Sequence, residues 1–276
     1  MQSSYNHNGR GPMTAVNFIT AHDGFTMYDL VTYAHKRNGC TPLNPVCCDS
    51  PASPWCEQNS GDDHNRSREW GADQEVFKRQ LMRNFFVAMM ISHGTPMLLG
   101  GDEWMRTQLG NNNAYSTGAD NPYNWFRWGL WKADDERHRM HDFVRQLIRW
   151  RQANVHALRP LTYGGGAPFA WKSPANTEAV NWNGKALMIH YFDNSQGNEI
   201  AILINMERQN TVFTLPEGRT WQRIVDTQAW FDDEGYLGAE ARDRRISHNI
   251  DLNASQGLEA TYDVTGSSIV ILQAAP

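Results

Sequence analysis

The sequence predicts an α/β region with parallel strands, followed by an all-β antiparallel region. Three observations carry that prediction. Two short apolar runs, Ala15 to Ala21 and Pro96 to Leu99, each end abruptly in a polar cluster. A long amphipathic stretch lies between them, and strand, helix, strand in that order is the pattern of a parallel sheet. Near Pro160 the composition changes: Tyr163-Gly-Gly-Gly-Ala-Pro168 reads as a linker-like turn, and beyond it helical periodicity gives way to short runs separated by turns.

The first run, Ala-Val-Asn-Phe-Ile-Thr-Ala, is apolar and partly β-branched, which suits a buried strand. Thr26 to Lys36 places Met27, Leu30, Val31 and Ala34 at helical spacing. A long loop rich in Pro, Asn, Ser and Asp then runs to about Trp70. Asp73 is a candidate N-cap for a helix reaching Ser92, with Phe77, Leu81, Phe85, Ala88 and Met89 as its apolar face and Gly94 as its stop. The strand Pro96 to Leu99 follows and ends in Gly100-Gly101-Asp102-Glu103. After a loop rich in Asn, Tyr and Trp, a helix from Asp135 to Ala153 sets Met140, Phe143, Val144, Leu147 and Ile148 on one side, with Arg145, Arg149 and Arg151 on or near the other. Past residue 160 the clearest strands are Ala186 to Phe192, Glu199 to Ile204, Thr211 to Leu215, Trp221 to Val225 and Ser267 to Leu272, which together read as an antiparallel sandwich. The expected division is therefore 1–159 and 160–276.

Composition narrows the function. The chain has 276 residues, 40% apolar and 20% charged, enough to bury a core. A net charge of −5 without a basic block argues against nucleic acid and against an electrostatic membrane anchor. No stretch approaches the roughly 20 apolar residues of a membrane span, and the opening MQSSYNHNGRGPM has no apolar signal core. A neutral substrate fits, and eleven Trp with nine Tyr supply flat amphipathic rings that suit sugar faces as well as cores. Cys40, Cys47, Cys48 and Cys56 crowd one loop. Their spacing fits disulfides or free thiols better than a zinc site. No metal and no cofactor is expected; Asp62-Asp63-His64-Asn65 lacks the alternating ligands of a calcium loop and reads as a solvated turn. The compartment stays open, with the cytoplasm favoured over secretion.

The chemistry gathers where strands end. Thr20-Ala21-His22-Asp23-Gly24-Phe25 puts a carboxylate beside an imidazole at a strand terminus, an arrangement able to hold sugar hydroxyls and steady an oxocarbenium-like charge. Taken alone, the pair reads more readily as a helix cap and a rim histidine. The wider series is more specific: Ser92-His93-Gly94-Thr95-Pro96-Met97-Leu98-Leu99-Gly100-Gly101-Asp102-Glu103, then Arg106-Thr107-Gln108, Gly110-Asn111-Asn112-Asn113-Ala114-Tyr115 and Asn124-Trp125-Phe126. In this order the strings resemble the last two barrel strands of glycoside hydrolase family 13, the α-amylase family, in its isoamylase and glycogen-debranching branch. The likeness runs through nearly the whole chain, most firmly over residues 15 to 160.

The resemblance implies the C-terminal part of a (β/α)8 barrel followed by a β-sandwich. It implies that Asp23 is the third catalytic carboxylate of a retaining hydrolase acting on α-1,6 branches of glycogen or amylopectin, and that His22 binds substrate beside it. Arg106, Asn111, Asn112, Asn113 and Tyr115 would line the cleft and bind sugar hydroxyls. Asp102 and Glu103 would shape the site. Trp125 and Trp128 would either stack on glucose rings or pack at a domain boundary. The nucleophile and the acid/base belong to earlier barrel strands, so the chain alone is expected to need its missing N-terminal barrel portion or a partner chain. The other reading is a noncatalytic α-glucan-binding module, or one half of a split enzyme.

Overall fold

A computed structural model describes residues 9–39, 59–114, 120–160, 169–192, 199–228, 248–249 and 260–274. The four cysteines and Tyr115 lie outside the described residues. By compactness the chain forms two units: Asn17–Phe85 with Pro96–Val144, and Met1–Val16 with Phe86–Thr95 and Arg145–Pro276.

Strands β1 (Val16–Asn17) and β2 (Thr95–Pro96) form a two-stranded sheet. The amides of Thr95 and Met97 donate to the carbonyls of Ala15 and Asn17, both at 2.8 Å. Donor and acceptor numbers rise together, as a parallel pair requires. Both strands are shorter than their apolar runs, and β1 is not the buried strand expected, since Val16 and Phe18 are 56% and 53% exposed.

Helix α1 covers only Met27–Leu30, one turn rather than the expected stretch to Lys36. Thr26 caps it, its hydroxyl accepting from the amide of Asp29. Helix α2 (Glu75–Ile91) follows a 3-10 turn at Ala72–Gln74, so Asp73 sits in that turn and is not the cap. Met82, Phe86, Met89 and Met90 are buried, whereas Phe77, Leu81 and Phe85 are only partly covered. Lys78, Arg83 and Asn84 are buried as well. The helix is covered on more than one side, which blurs an apolar stripe.

Helices α3 (Trp128–Ala133), α4 (Asp135–Ala153) and α5 (Val155–Leu158) complete the helical part. Helix α4 matches its expected bounds and buries Met140, Phe143, Val144 and Leu147. Arg151 departs from the surface role expected for it. It is buried, and its guanidinium donates to the carbonyls of Met90, Ser92 (3.0 Å) and Gly94 (2.8 Å), satisfying groups that the end of α2 leaves unpaired.

The β-rich region contains β3 (Phe169–Lys172), β4 (Ala186–Tyr191), β5 (Ile200–Asn205), β6 (Thr211–Thr214), β7 (Trp221–Asp226), β8 (His248–Asn249), β9 (Thr261–Val264) and β10 (Ser268–Ala274). One sheet has the order β3-β4-β5-β10-β7-β8, antiparallel throughout; β6 and β9 make a second. Leu203 pairs with Met188 on one side and Val270 on the other, so three buried side chains meet across the sheet. These join Ala201, Trp221 and Leu272 with Phe213, Tyr262 and Val264 of the second sheet in one core. The Trp221 indole reaches the Pro216 carbonyl at 3.1 Å, so this large ring is buried without stranding its N–H.

Candidate functional site

The site is built from two loops, both in the unit containing Asn17–Phe85 and Pro96–Val144. The first, Thr20 to Leu30, ends in the single turn of α1 and carries His22, Asp23 and Asp29. The second, Gly101 to Asn113, follows β2. Each loop sends a buried carboxylate into the other.

Asp102 is 1% exposed. The hydroxyl of Thr20 donates to its Oδ2, and the amide of Met27 donates to its Oδ1 at 2.9 Å. The same carboxylate therefore holds both ends of the segment carrying His22 and Asp23. Between those ends, the amide of Gly24 donates to the carbonyl of Asn112 at 3.1 Å. Gly24 has φ +90°, which a side chain tolerates poorly. In the opposite direction, Asp29 is fully buried and accepts from the Thr107 hydroxyl, from the Gln108 amide at 2.8 Å and from the Gly110 amide at 3.3 Å.

Both carboxyl groups titrate high. Burial raises Asp102 to about 7 against the opposing hydrogen bonds from Thr20 and Met27. Burial likewise raises Asp29 to about 6, although Thr107, Gln108 and Gly110 favour its ionised form.

The second loop bends sharply. Gly101 (φ +100°), Met105 (+60°), Leu109 (+54°) and Gly110 (+80°) are all left-handed, and for Met105 and Leu109 that conformation carries strain. At Gly101 a Cβ would lie 2.5 Å from Cδ of Arg106, so the turn has room for glycine only. Glu103 folds back to accept the Gly101 amide at 2.8 Å.

The residues expected to bind or act fall into two groups. His22 and Asp23 are exposed, at 75% and 73% of their side chains, with Nε2 and Oδ2 3.7 Å apart. Arg106, Asn111 and Asn112 are buried. Arg106 donates to the carbonyl of Asn124 at 3.2 Å and lies 5.2 Å from the Phe126 ring centre. The Asn111 side chain accepts the Asn113 amide at 3.0 Å. Asn112 donates to the Asp62 carbonyl at 2.8 Å and to Asn65 at 3.0 Å, and accepts from Asn38 at 3.0 Å. These three side chains hold the loop together. Asn113 is partly exposed. Trp125 and Trp128 are 55% and 57% exposed; Trp128 stacks on buried Trp104, the centroids 6.2 Å apart. Asp62 and Asp63 sit in an exposed turn, where Asp62 accepts the His64 amide at 2.8 Å and Asp63 pairs with Lys36 at 2.8 Å.

No family model matches the chain. Individual proteins do. It is 33% identical over 229 residues to isoamylase 1, chloroplastic, of Arabidopsis thaliana, covering 79% of this chain and 27% of that protein. It is 30% identical over 282 residues to the isoamylase of Pseudomonas amyloderamosa, covering 97% and 33% respectively. The chain belongs to the debranching-enzyme branch of the α-amylase family. It spans about a third or less of the curated relatives it matches. Two solved structures share its fold at low identity. The catalytic module of the glycogen-degrading pneumococcal virulence factor SpuA has a TM-score of 0.58 at 15% identity, over 94% of this chain and 36% of that one. The pullulanase from Anoxybacillus sp. LM18-11, solved with maltotetraose, gives 0.55 at 16%, over 96% and 28%.

Within this family member the strings that carried the resemblance also build the site: Thr20 with His22-Asp23, Asp102 with Gly101, and the Asn111 to Asn113 run. Asp29 and Asn38 escaped sequence reasoning, and Thr107 entered it only as part of the Arg106-Thr107-Gln108 string. Asp29 reads as an ordinary acidic residue in the first turn of a helix, and apart from Thr26 its side-chain partners lie 78 or more residues away.

Proposed function

We propose that the chain supplies the transition-state-stabilising part of a retaining glycoside hydrolase that cleaves α-1,6 branch linkages in glycogen- or amylopectin-type glucans. The carrying observation is Asp23: an exposed carboxylate beside His22, on a loop held at three points by buried groups, in a chain of the debranching branch.

In such a reaction a carboxylate nucleophile forms a glycosyl-enzyme intermediate while a carboxylic acid protonates the leaving oxygen; water then releases the sugar. Asp23 contributes neither step. Its negative charge holds sugar hydroxyls and opposes the positive charge that spreads over the ring and its oxygen, and His22 binds the same sugar. Asn113 on the second loop, and Tyr115 by the family resemblance, bind further sugar hydroxyls, while Arg106, Asn111 and Asn112 act through the loop's shape. The nucleophile and the acid/base come from polypeptide outside this chain, so the chain alone is inactive and its partners are a branched α-glucan and that further polypeptide. Residues 1–159 are then the C-terminal part of a (β/α)8 barrel and 160–276 a β-sandwich.

The test is Asp23→Asn in the complete natural polypeptide that carries this chain, assayed on branched and linear glucans. The expected result is an unchanged melting temperature and a loss of turnover of at least about 100-fold, the scale of removing one preorganised charge-stabilising group. Turnover near wild type refutes the reading. Glucan binding without turnover by the wild-type polypeptide favours a binding module instead.

A further inference from the structure

We infer that Asp102 and Asp29 are a reciprocal pair of positioning residues: each buried carboxylate is anchored in one loop and bonded to the other, and together they fix where Asp23 stands. The inference rests on the proposed role of Asp23 and assigns a function to two acidic groups that the reaction itself does not use.

The geometry supports a shared purpose in three ways. First, the bonds are reciprocal. Asp102 belongs to the second loop and grips Thr20 and Met27 of the first; Asp29 belongs to the first and grips Thr107, Gln108 and Gly110 of the second. A simple helix or turn cap would satisfy only its own element; Asp29 also bonds Thr26 beside it, but its other bonds, like both of those of Asp102, reach the opposite segment. Secondly, the gripped atoms bracket the functional segment. Thr20 stands two residues before His22 and Met27 four after Asp23, with Gly24 tied in the middle to the Asn112 carbonyl at 3.1 Å. Asp23 is thereby exposed yet unable to drift far, as a group that must meet developing charge requires.

Thirdly, the second loop is strained where the carboxylates hold it. Met105 and Leu109, both left-handed at φ +60° and +54°, flank the very residues that Asp29 binds or that lie beside them. Such conformations persist where surrounding bonds over-determine them. Arg106 is near enough to favour the charged form of Asp102, but among the described residues no cationic side chain is hydrogen-bonded to either carboxyl group, and their burial is itself unfavourable. Burial pushes both groups towards the neutral form, so the arrangement serves placement at the expense of stability.

The test uses the complete natural polypeptide, with Asp102→Ala, Asp102→Asn, Thr20→Val and Asp23→Asn as a control. Steady-state kinetics on a branched glucan are paired with amide hydrogen exchange at Gly24 and Met27. Asp102→Ala frees both ends of the loop; kcat is expected to fall about 100-fold, the cost of displacing a reacting group by about an ångström, with KM within about threefold. Exchange at Gly24 and Met27 should speed up by at least about tenfold. Asp102→Asn keeps an acceptor for Met27 and a polar partner for Thr20, so it should recover kcat to within about tenfold of wild type and protect both amides. Thr20→Val removes one anchor only and should give an intermediate kcat even if Asp102→Ala does not fold.

Wild-type kcat in folded Asp102→Ala, or wild-type kcat in Thr20→Val with unchanged exchange, overturns the positioning role. Full turnover in Asp23→Asn instead sinks the reading of Asp23, while the exchange data still report whether the clamp exists.

Discussion

The Oδ1 atom of Asp102 accepts a hydrogen bond of 2.9 Å from the backbone amide of Met27, 75 residues earlier in the chain. Its other oxygen takes the hydroxyl of Thr20. Those two donors favour the ionised carboxylate, but burial outweighs them, and the resulting titration has a measurable consequence.

Stability should fall as pH rises from about 4 to about 7, and Asp102→Asn should remove much of that fall. Asp102 is raised from 3.8 to about 7, so the folded state binds its proton more tightly than the unfolded state does. The contribution is complete below about pH 4, declines as pH rises to about 7, and is constant above. With about 1.4 kcal/mol for each pH unit of separation, the ceiling is about 4 kcal/mol. Asp29, raised to about 6, adds a slope of the same sign that ends earlier. Urea unfolding from pH 4 to 8 checks this: Asp102→Asn should gain on wild type steadily up to about pH 7. Parallel curves would show that Asp102 ionises normally.

Arg151→Met should destabilise the chain by about 2 to 4 kcal/mol. The guanidinium meets the carbonyls of Met90, Ser92 and Gly94 in one plane of donors, and bonds from a charged donor contribute about 1.5 to 3 kcal/mol when an acceptor would otherwise be stranded. Arg151→Lys should recover under half of the loss, because one ammonium cannot span three carbonyls as a planar fork does. Denaturant midpoints of the two variants decide it; equal stability of Lys and Met would mean the charge is irrelevant here.

Much of this was legible in the sequence, for reasons that vary by residue. Helix α4 was, because Met140, Phe143, Val144 and Leu147 recur at helical spacing and are all buried. The sheet strands from Ala186, Ile200, Thr211, Trp221 and Ser268 were, because β-branched and aromatic runs sit between turn residues. Strands β3 and β9 were not: each is four residues long, and pairing with Tyr191 to Met188 or with Thr211 to Thr214 makes it a strand. Arg151 was missed because its spacing puts it near the charged side of α4, while carbonyls 57 to 61 residues away decide its burial. In the site, the His22-Asp23 pair and the Asn111 to Asn113 run could be picked out as motifs. Which of them face solvent could not, since Asn112 is buried by Asn38, Asp62 and Asn65, none of which share its motif.

That last point separates two roles for Asn112. Its amide spends both donors and its acceptor on protein groups, and a Cβ at Gly61 would come within 2.2 Å of its Oδ1, so the packing around it is tight. Asn112→Ala therefore strands one donor of buried Asn38 and should cost about 1 to 3 kcal/mol for the buried group left unpaired, while the Asp62 carbonyl, on an exposed residue, can turn to solvent. Because the Asn112 carbonyl also holds Gly24 at 3.1 Å, loosening residue 112 should reach the Asp23 loop, lowering kcat more than it raises KM. A residue that bound sugar directly would behave in the opposite way, with KM rising and the unfolding midpoint unmoved. Measuring both quantities on Asn112→Ala, with Asn113→Ala as the partly exposed neighbour, distinguishes a side chain that shapes the loop from one that touches the glucan.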